Sequence, residues 1–194
     1  TTDSGAGTRT YDDRGAYEYP VAPPTVTTQA VTAIGTTTAT GNGNITSLGV
    51  PNPTQHGVVW STLPNPTTAN SKTTNGPVSV TGAFTSNITG LSTGTLYHVR
   101  AYATNSTGTA YGADVTFTTQ TTVAFNANGG TGSMSNQTAN YNVATALTAN
   151  AFTRTGYTFS GWNTAANGSG TAYANGAVYP FTASATLYAQ WTIN

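Results

Sequence analysis

TRTGYTFSGWNTAANGSGTAY, residues 153–173, sets Tyr157, Phe159, Trp162 and Tyr173 among glycine, asparagine and threonine. These aromatics form a ligand platform, part of an active site, or the core of a small domain. Tyr157 and Phe159 share one strand face by their two-residue spacing. Trp162 has the opposite parity unless Gly161 makes a bulge that returns it. In a stretch with few aliphatic side chains the aromatics are the largest volumes available, so core packing is the expectation.

The surrounding sequence keeps the same grammar. Helical periodicity is nearly absent, and short alternating runs rich in Thr, Val, Tyr and Phe are separated by turn residues. Asn-Gly occurs at 42–43, 75–76, 128–129, 167–168 and 175–176, and both residues of the pair tolerate the positive φ that tight turns require. The predicted fold class is mainly β, with at most one short helix. The clearest strand is LYHVRAYATN, 96–105, with Tyr97, Val99, Ala101 and Ala103 on a core face and His98, Arg100 and Tyr102 on a wet one.

Composition narrows the function classes. Charged residues make up 5% of the 194-residue chain, against roughly 25% for an ordinary soluble domain. No run of about 20 apolar residues exists to span a membrane as a helix, and the aromatic content argues against disorder. Net charge is zero, which removes electrostatic repulsion between copies and favours self-association. Without a basic patch, nucleic acid and anionic membrane surfaces are poor partners. The chain has no cysteine, so it has neither disulfides nor thiolate metal sites. It starts at Thr1 with no signal peptide, as expected of a mature or excised fragment.

Three zones emerge: a tail with a Pro-rich linker (1–24), a middle segment (25–119) and a C-terminal segment (120–194). The motifs GLSTGTLYHVRAYATNSTGTAYGADVTFTT (90–119) and HGVVWST (56–62) resemble a fibronectin type III domain. That resemblance implies a seven-strand antiparallel sandwich in which Trp60 fills the core and Tyr97 makes a tyrosine corner. FNANGG, RTGYTFSGWNT and ATLYAQW, within 122–192, resemble the Listeria–Bacteroides repeat, also called the internalin B-repeat type. The resemblance implies a small β-grasp-like module of a bacterial surface protein. Expected core residues are Trp60, Tyr97, Val99, Tyr157, Phe159, Trp162 and Trp191. In the tail, DDRGAYEY resembles the closing segment of right-handed β-helix domains of bacterial surface proteins.

Chemistry-bearing side chains are scarce. Asp114 is the sole carboxylate side chain between residues 19 and 194, so the acid pair of a glycosidase is missing there. His56 and His98 read as surface or edge residues lacking the third group that orients a catalytic histidine. They also make a poor metal site with one acid. Lys72, the single lysine, has no acid nearby in sequence for an isopeptide bond. Asn-x-Ser/Thr occurs at Asn44, Asn87, Asn105, Asn136 and Asn167, a chance-prone pattern in a chain this rich in Asn and Thr. No cofactor is expected, nor an enzyme.

The sequence therefore predicts a bacterial extracellular or cell-surface structural protein, a subunit or stalk segment of a fibre or adhesin. Self-association into a homopolymer is expected, with the tail adding as a strand to a neighbour and Tyr11, Tyr17 and Tyr19 as its contacts. The alternatives are an adhesin module for a glycan or protein ligand, and an accessory region of a larger secreted enzyme.

Overall fold

A computed structural model describes residues 20–194; Tyr11, Tyr17 and Tyr19 lie outside the described residues. Eight strands build the first unit: β1 (Thr25–Thr32), β2 (Ala39–Ser47), β3 (Gln55–Ser61), β4 (Ser71–Lys72), β5 (Gly82–Ile88), β6 (Leu96–Asn105), β7 (Gly108–Tyr111) and β8 (Val115–Thr118). One sheet runs β1-β2-β5. The other runs β4-β3-β6-β7, with β8 also pairing β6. Every pairing in the two sheets is antiparallel. This is the three-on-four layering of a fibronectin type III-like sandwich, with its seventh strand split into β7 and β8.

The split has a visible cause. At Gly112, between β7 and β8, a Cβ would collide with the backbone nitrogen of Thr28 on β1. There the Thr28 Oγ1 accepts the Ala101 N–H at 3.0 Å. β1 thus presses its backbone into the gap, and only a residue without a side chain lets it approach.

Alternation fills the space between the sheets. β2 reads buried and half-buried in strict alternation over its first seven residues, with Ile45 inward. Val58, Ile88, Leu91, Tyr97, Val99 and Phe117 form one buried cluster, and Val26, Ile45 and Ala101 form a second. Trp60, expected to fill this core, is only half-buried and packs against the first cluster from its margin. Volume there comes from Val58, Ile88, Leu91 and Val99 together with Tyr97 and Phe117. Tyr97 is buried, and its hydroxyl accepts the Ser92 N–H at 3.0 Å.

The face of β6 expected to be wet is wet only in part: His98 and Arg100 are half-buried and Tyr102 is buried. Tyr102 is 1% exposed and its hydroxyl donates to the Thr73 carbonyl at 2.6 Å, beneath the segment that follows β4. Asn42-Gly43 is likewise not a turn: it lies inside β2, and Asn75-Gly76 lies in the irregular segment after β4, with φ at +87° for Gly76. The other three Asn-Gly pairs do sit in turns.

Seven strands build the second unit: β9 (Thr121–Asn126), β10 (Gln137–Ala139), β11 (Thr145–Ala146), β12 (Tyr157–Asn163), β13 (Ala172–Tyr173), β14 (Val178–Tyr179) and β15 (Ala185–Ile193). Five of them form a mixed sheet ordered β10-β9-β15-β12-β13, and β11 pairs with β14 separately. β9 and β15, first and last in sequence, lie parallel at its centre, as a grasp-like sheet requires. No helix occurs among the described residues.

The two units meet without a spacer. Between β8 and β9 lie only Thr119 and Gln120, and Thr119 and Thr121 are both fully buried.

Candidate functional site

The aromatic stretch at 153–173 resolves into a core. The register of β12 on β15 shifts between Phe159 and Gly161: Phe159 pairs Trp191, Gly161 pairs Gln190 and Trp162 pairs Ala189. Ser160 is the extra residue of a bulge, which returns Trp162 to the face of Phe159. Gly161 permits it, with φ at +142° and the Tyr173 carbonyl 2.9 Å from where a Cβ would stand.

Trp162 is fully buried. Phe125, Phe159 and Phe152 surround it at ring-centroid distances of 4.9, 5.0 and 6.1 Å. Phe159 and Trp191 pack on the margin of this cluster, and the Trp191 indole N–H donates to the Ala127 carbonyl at 2.9 Å. Tyr157, expected in the core, is outside the cluster. Its ring lies under the Arg154 guanidinium at 3.9 Å, a cation–π contact on the module's flank. It is half-buried there, although its two-residue spacing gives it the same face as Phe159.

Asn163, which sequence reasoning passed over, organises the loop that follows. Its amide donates to the Gly168 and Gly170 carbonyls at 3.1 and 3.2 Å, while its Oδ1 accepts the Ala165 and Gly170 N–H groups at 2.9 Å each. With this loop, Ser160, Tyr173 and Gln190 line a groove of about 430 Å³ on the sheet. The signal in sequence was the polar residue directly after a buried tryptophan, where strand parity alone leaves Asn163 unexplained.

Among the described residues, both histidines, the one carboxylate side chain and the one lysine sit in the sandwich. His56, expected at the surface, is 9% exposed. Its Nδ1 pairs with the Gly76 carbonyl at 2.8 Å, and its ring stands edge-on to Phe84 at 4.8 Å. His98 meets Asp114, Nδ1 to Oδ2 at 2.9 Å, and the same carboxylate oxygen accepts the Asn65 N–H at 2.8 Å. Chain folding therefore supplies the orienting acid that the sequence spacing concealed. Ser61 lies opposite His98 in the β3–β6 register, but its hydroxyl accepts the Leu63 N–H at 3.0 Å, leaving it as a turn brace. Lys72 donates to the Thr68 carbonyl at 2.7 Å. Among the described residues, no three His, Cys, Asp or Glu side chains converge. Asn105 is buried, and its amide donates to the Ala22 and Pro51 carbonyls at 2.8 Å each, which withdraws it from glycosylation.

At the junction the hydrogen bonds run both ways. The Thr119 hydroxyl donates to the Ser92 carbonyl at 2.6 Å, and the Gln120 N–H to the Gly35 carbonyl at 2.9 Å. From the other side, the Thr121 hydroxyl donates to the Phe181 carbonyl at 3.0 Å. Phe181 holds φ at +50° while its ring is fully buried. A bulky residue adopts that backbone only where its surroundings over-determine it. Gln120 donates to the Asn140 side chain at 3.1 Å, and Ser184 to Thr93 at 3.5 Å.

No curated protein matches the chain. Among solved structures, the sensor domain of the anti-sigma factor RsgI4 of Pseudobacteroides cellulosolvens is 16% identical, with a TM-score of 0.35. The match covers 52% of this chain and 97% of that one. The fibronectin type-III domain of human fibronectin type III domain containing protein 3 is also 16% identical, with a TM-score of 0.34. It covers 52% of this chain and 88% of its own. The family model that matches is that of the Listeria-Bacteroides repeat domain, over residues 122–190. This is consistent with an extracellular, non-catalytic module. The module centred on Trp162 matches the Listeria-Bacteroides repeat domain over residues 122–190 and follows directly on a fibronectin type III-like sandwich.

Proposed function

We propose that this chain is a non-catalytic structural segment of a bacterial surface fibre or adhesin, which holds what it joins at a fixed orientation. The observation that carries this reading is the junction: two residues separate β8 from β9, Thr119 and Thr121 are buried, and hydrogen bonds tie them to both units. A hinge would need exposed, unpaired backbone at this place. Copies associate by strand addition, with residues 1–19 of one chain pairing along β5, which ends its sheet. A zero net charge leaves little to oppose that contact.

The absence of native cysteine makes the test direct. Spin labels on Ser79→Cys and Ser169→Cys, one in each unit, give a single narrow distance distribution if the joint is rigid. A broad distribution removes the spacer reading. Negative-stain microscopy of the chain with and without residues 1–22 then decides assembly: filaments present only with the tail support strand addition, and monomers in both samples refute it. A second reading, a glycan-binding module, is favoured by the hydroxyl and amide lining of the Ser160–Gln190 groove.

A further inference from the structure

Five Asn-Gly pairs stand in this chain, and the fold treats them unequally. Glycine after asparagine leaves the side-chain carboxamide open to attack by the next backbone nitrogen, because no Cβ crowds the approach. The reaction needs a glycine nitrogen free of hydrogen bonds and a side-chain amide free to leave.

Four pairs fail one requirement or the other. Asn42-Gly43 lies inside the β1-β2-β5 sheet, where the Asn42 amide donates to the Ala30 carbonyl at 2.7 Å and Gly43 is buried. The Asn75 amide donates to Ser86 at 2.9 Å, and the Gly76 N–H donates to the Gln55 side chain at 2.6 Å. The Asn128 amide donates to the Ala166 and Ala189 carbonyls at 2.8 Å each. At Asn167-Gly168 the Gly168 N–H donates to the Ala165 carbonyl at 3.0 Å.

Asn175-Gly176 is the exception. Both residues are exposed in the turn between β13 and β14, closed by the Ala177 N–H to the Ala174 carbonyl at 3.1 Å. Gly176 has φ at +70° and open space where a Cβ would be. The Asn175 side chain is engaged through its oxygen alone, which accepts the Asn150 N–H at 2.8 Å. That donor sits on the atom that gathers negative charge during attack on Cγ, and so stabilises the intermediate.

We infer that Asn175 is a self-modification site, at which the folded chain deamidates ahead of its four other Asn-Gly pairs. The Gly176 nitrogen bonds to Asn175 Cγ, and the Cγ–Nδ2 bond breaks. Ammonia leaves with the proton given up by Gly176, and a succinimide remains. Water then opens the ring at either carbonyl, giving aspartate or isoaspartate with no change of oxidation state. Each event gives a neutral chain one negative charge at neutral pH, on the turn that leads into β14.

The test is incubation of the intact protein at mildly alkaline pH, followed by peptide mass spectrometry that resolves aspartate from isoaspartate at each site. The urea-unfolded chain run in parallel exposes all five pairs equally. The expected result is product at residue 175 several-fold ahead of the other four in the folded protein, with that lead lost on unfolding. An Asn175→Gln variant should lack the first acidic band on isoelectric focusing. First conversion at another pair, or no conversion at 175 while the unfolded chain reacts, overturns the inference.

Discussion

The two units reach a buried core by different means. In the sandwich, aliphatic residues with Tyr97 and Phe117 fill the space between facing sheets, and the core divides into a cluster around Val58, Ile88 and Val99 and another around Ile45 and Ala101. In the repeat domain a single cluster gathers round one side chain, Trp162, with three phenylalanines touching it. Two sheets can share the work of excluding water among many medium-sized residues. A module of about 70 residues has one main sheet and must rely on a few large ones.

The largest effect expected from this contrast is at its centre. Trp162→Ala should cost about 3–5 kcal/mol, comparable to the whole stability of so small a core. Amide NMR should show residues 121–193 collapsing to unfolded shifts while the sandwich keeps its dispersion. Ile88→Ala should cost the sandwich about 2–5 kcal/mol and lower its melting temperature, with its fold retained at room temperature. If Trp162→Ala melts both units together, the junction has made them one cooperative body and the contrast dissolves.

A smaller effect separates packing from backbone approach. Gly112→Ala adds a methyl against the Thr28 backbone, and overpacking of this kind costs about 1–3 kcal/mol. The expected reading in denaturant is a lower midpoint for the sandwich with the repeat domain unmoved. An unchanged midpoint would mean that β1 can step back from the gap between β7 and β8.

The smallest effect is shared by both units and appears only at high pH. Burial, and secondarily the neighbouring Tyr111, raises the Tyr102 phenol above its ordinary value of 10.0. Burial, and secondarily Tyr173, does the same for Tyr179. Each phenol is neutral when protonated, so its raised folded pKa contributes stability that is complete below pH 10. That contribution is lost as pH climbs through 10 toward the folded values. Chemical denaturation between pH 9 and 11.5 should show both units weakening, and Tyr102→Phe should flatten the loss in the sandwich alone.

Much of this architecture was legible in the residues. Alternation and turn chemistry marked a mainly β chain, and parity left Trp162 on the opposite face unless Gly161 made a bulge; the register of β12 on β15 shifts between Phe159 and Gly161. Local rules failed where distant segments intervened. The outer face of β6 was read as wet because nothing in 96–105 shows that the segment after β4 covers Tyr102. Trp60 was given the core by the fibronectin type III resemblance, when Ile88, Leu91 and Val99 already filled it. Tyr157 was placed by its parity with Phe159, but it lies outside the cluster, against the Arg154 guanidinium.

The candidate sites divide along the same line. By itself the sequence determined the shortage of acids and bases, the missing cysteine and the neutral charge, because composition does not depend on folding. It also determined where strands alternate and where glycine permits a turn, because those preferences are properties of a few adjacent residues. Tertiary structure alone decided that Asp114 reaches His98 and that Phe181 accepts an unfavourable φ to bond Thr121. It alone left one of five identical Asn-Gly pairs unprotected. Each of those outcomes depends on which backbone groups meet across dozens of residues, and a hydrogen bond forms only when its two partners are brought within reach.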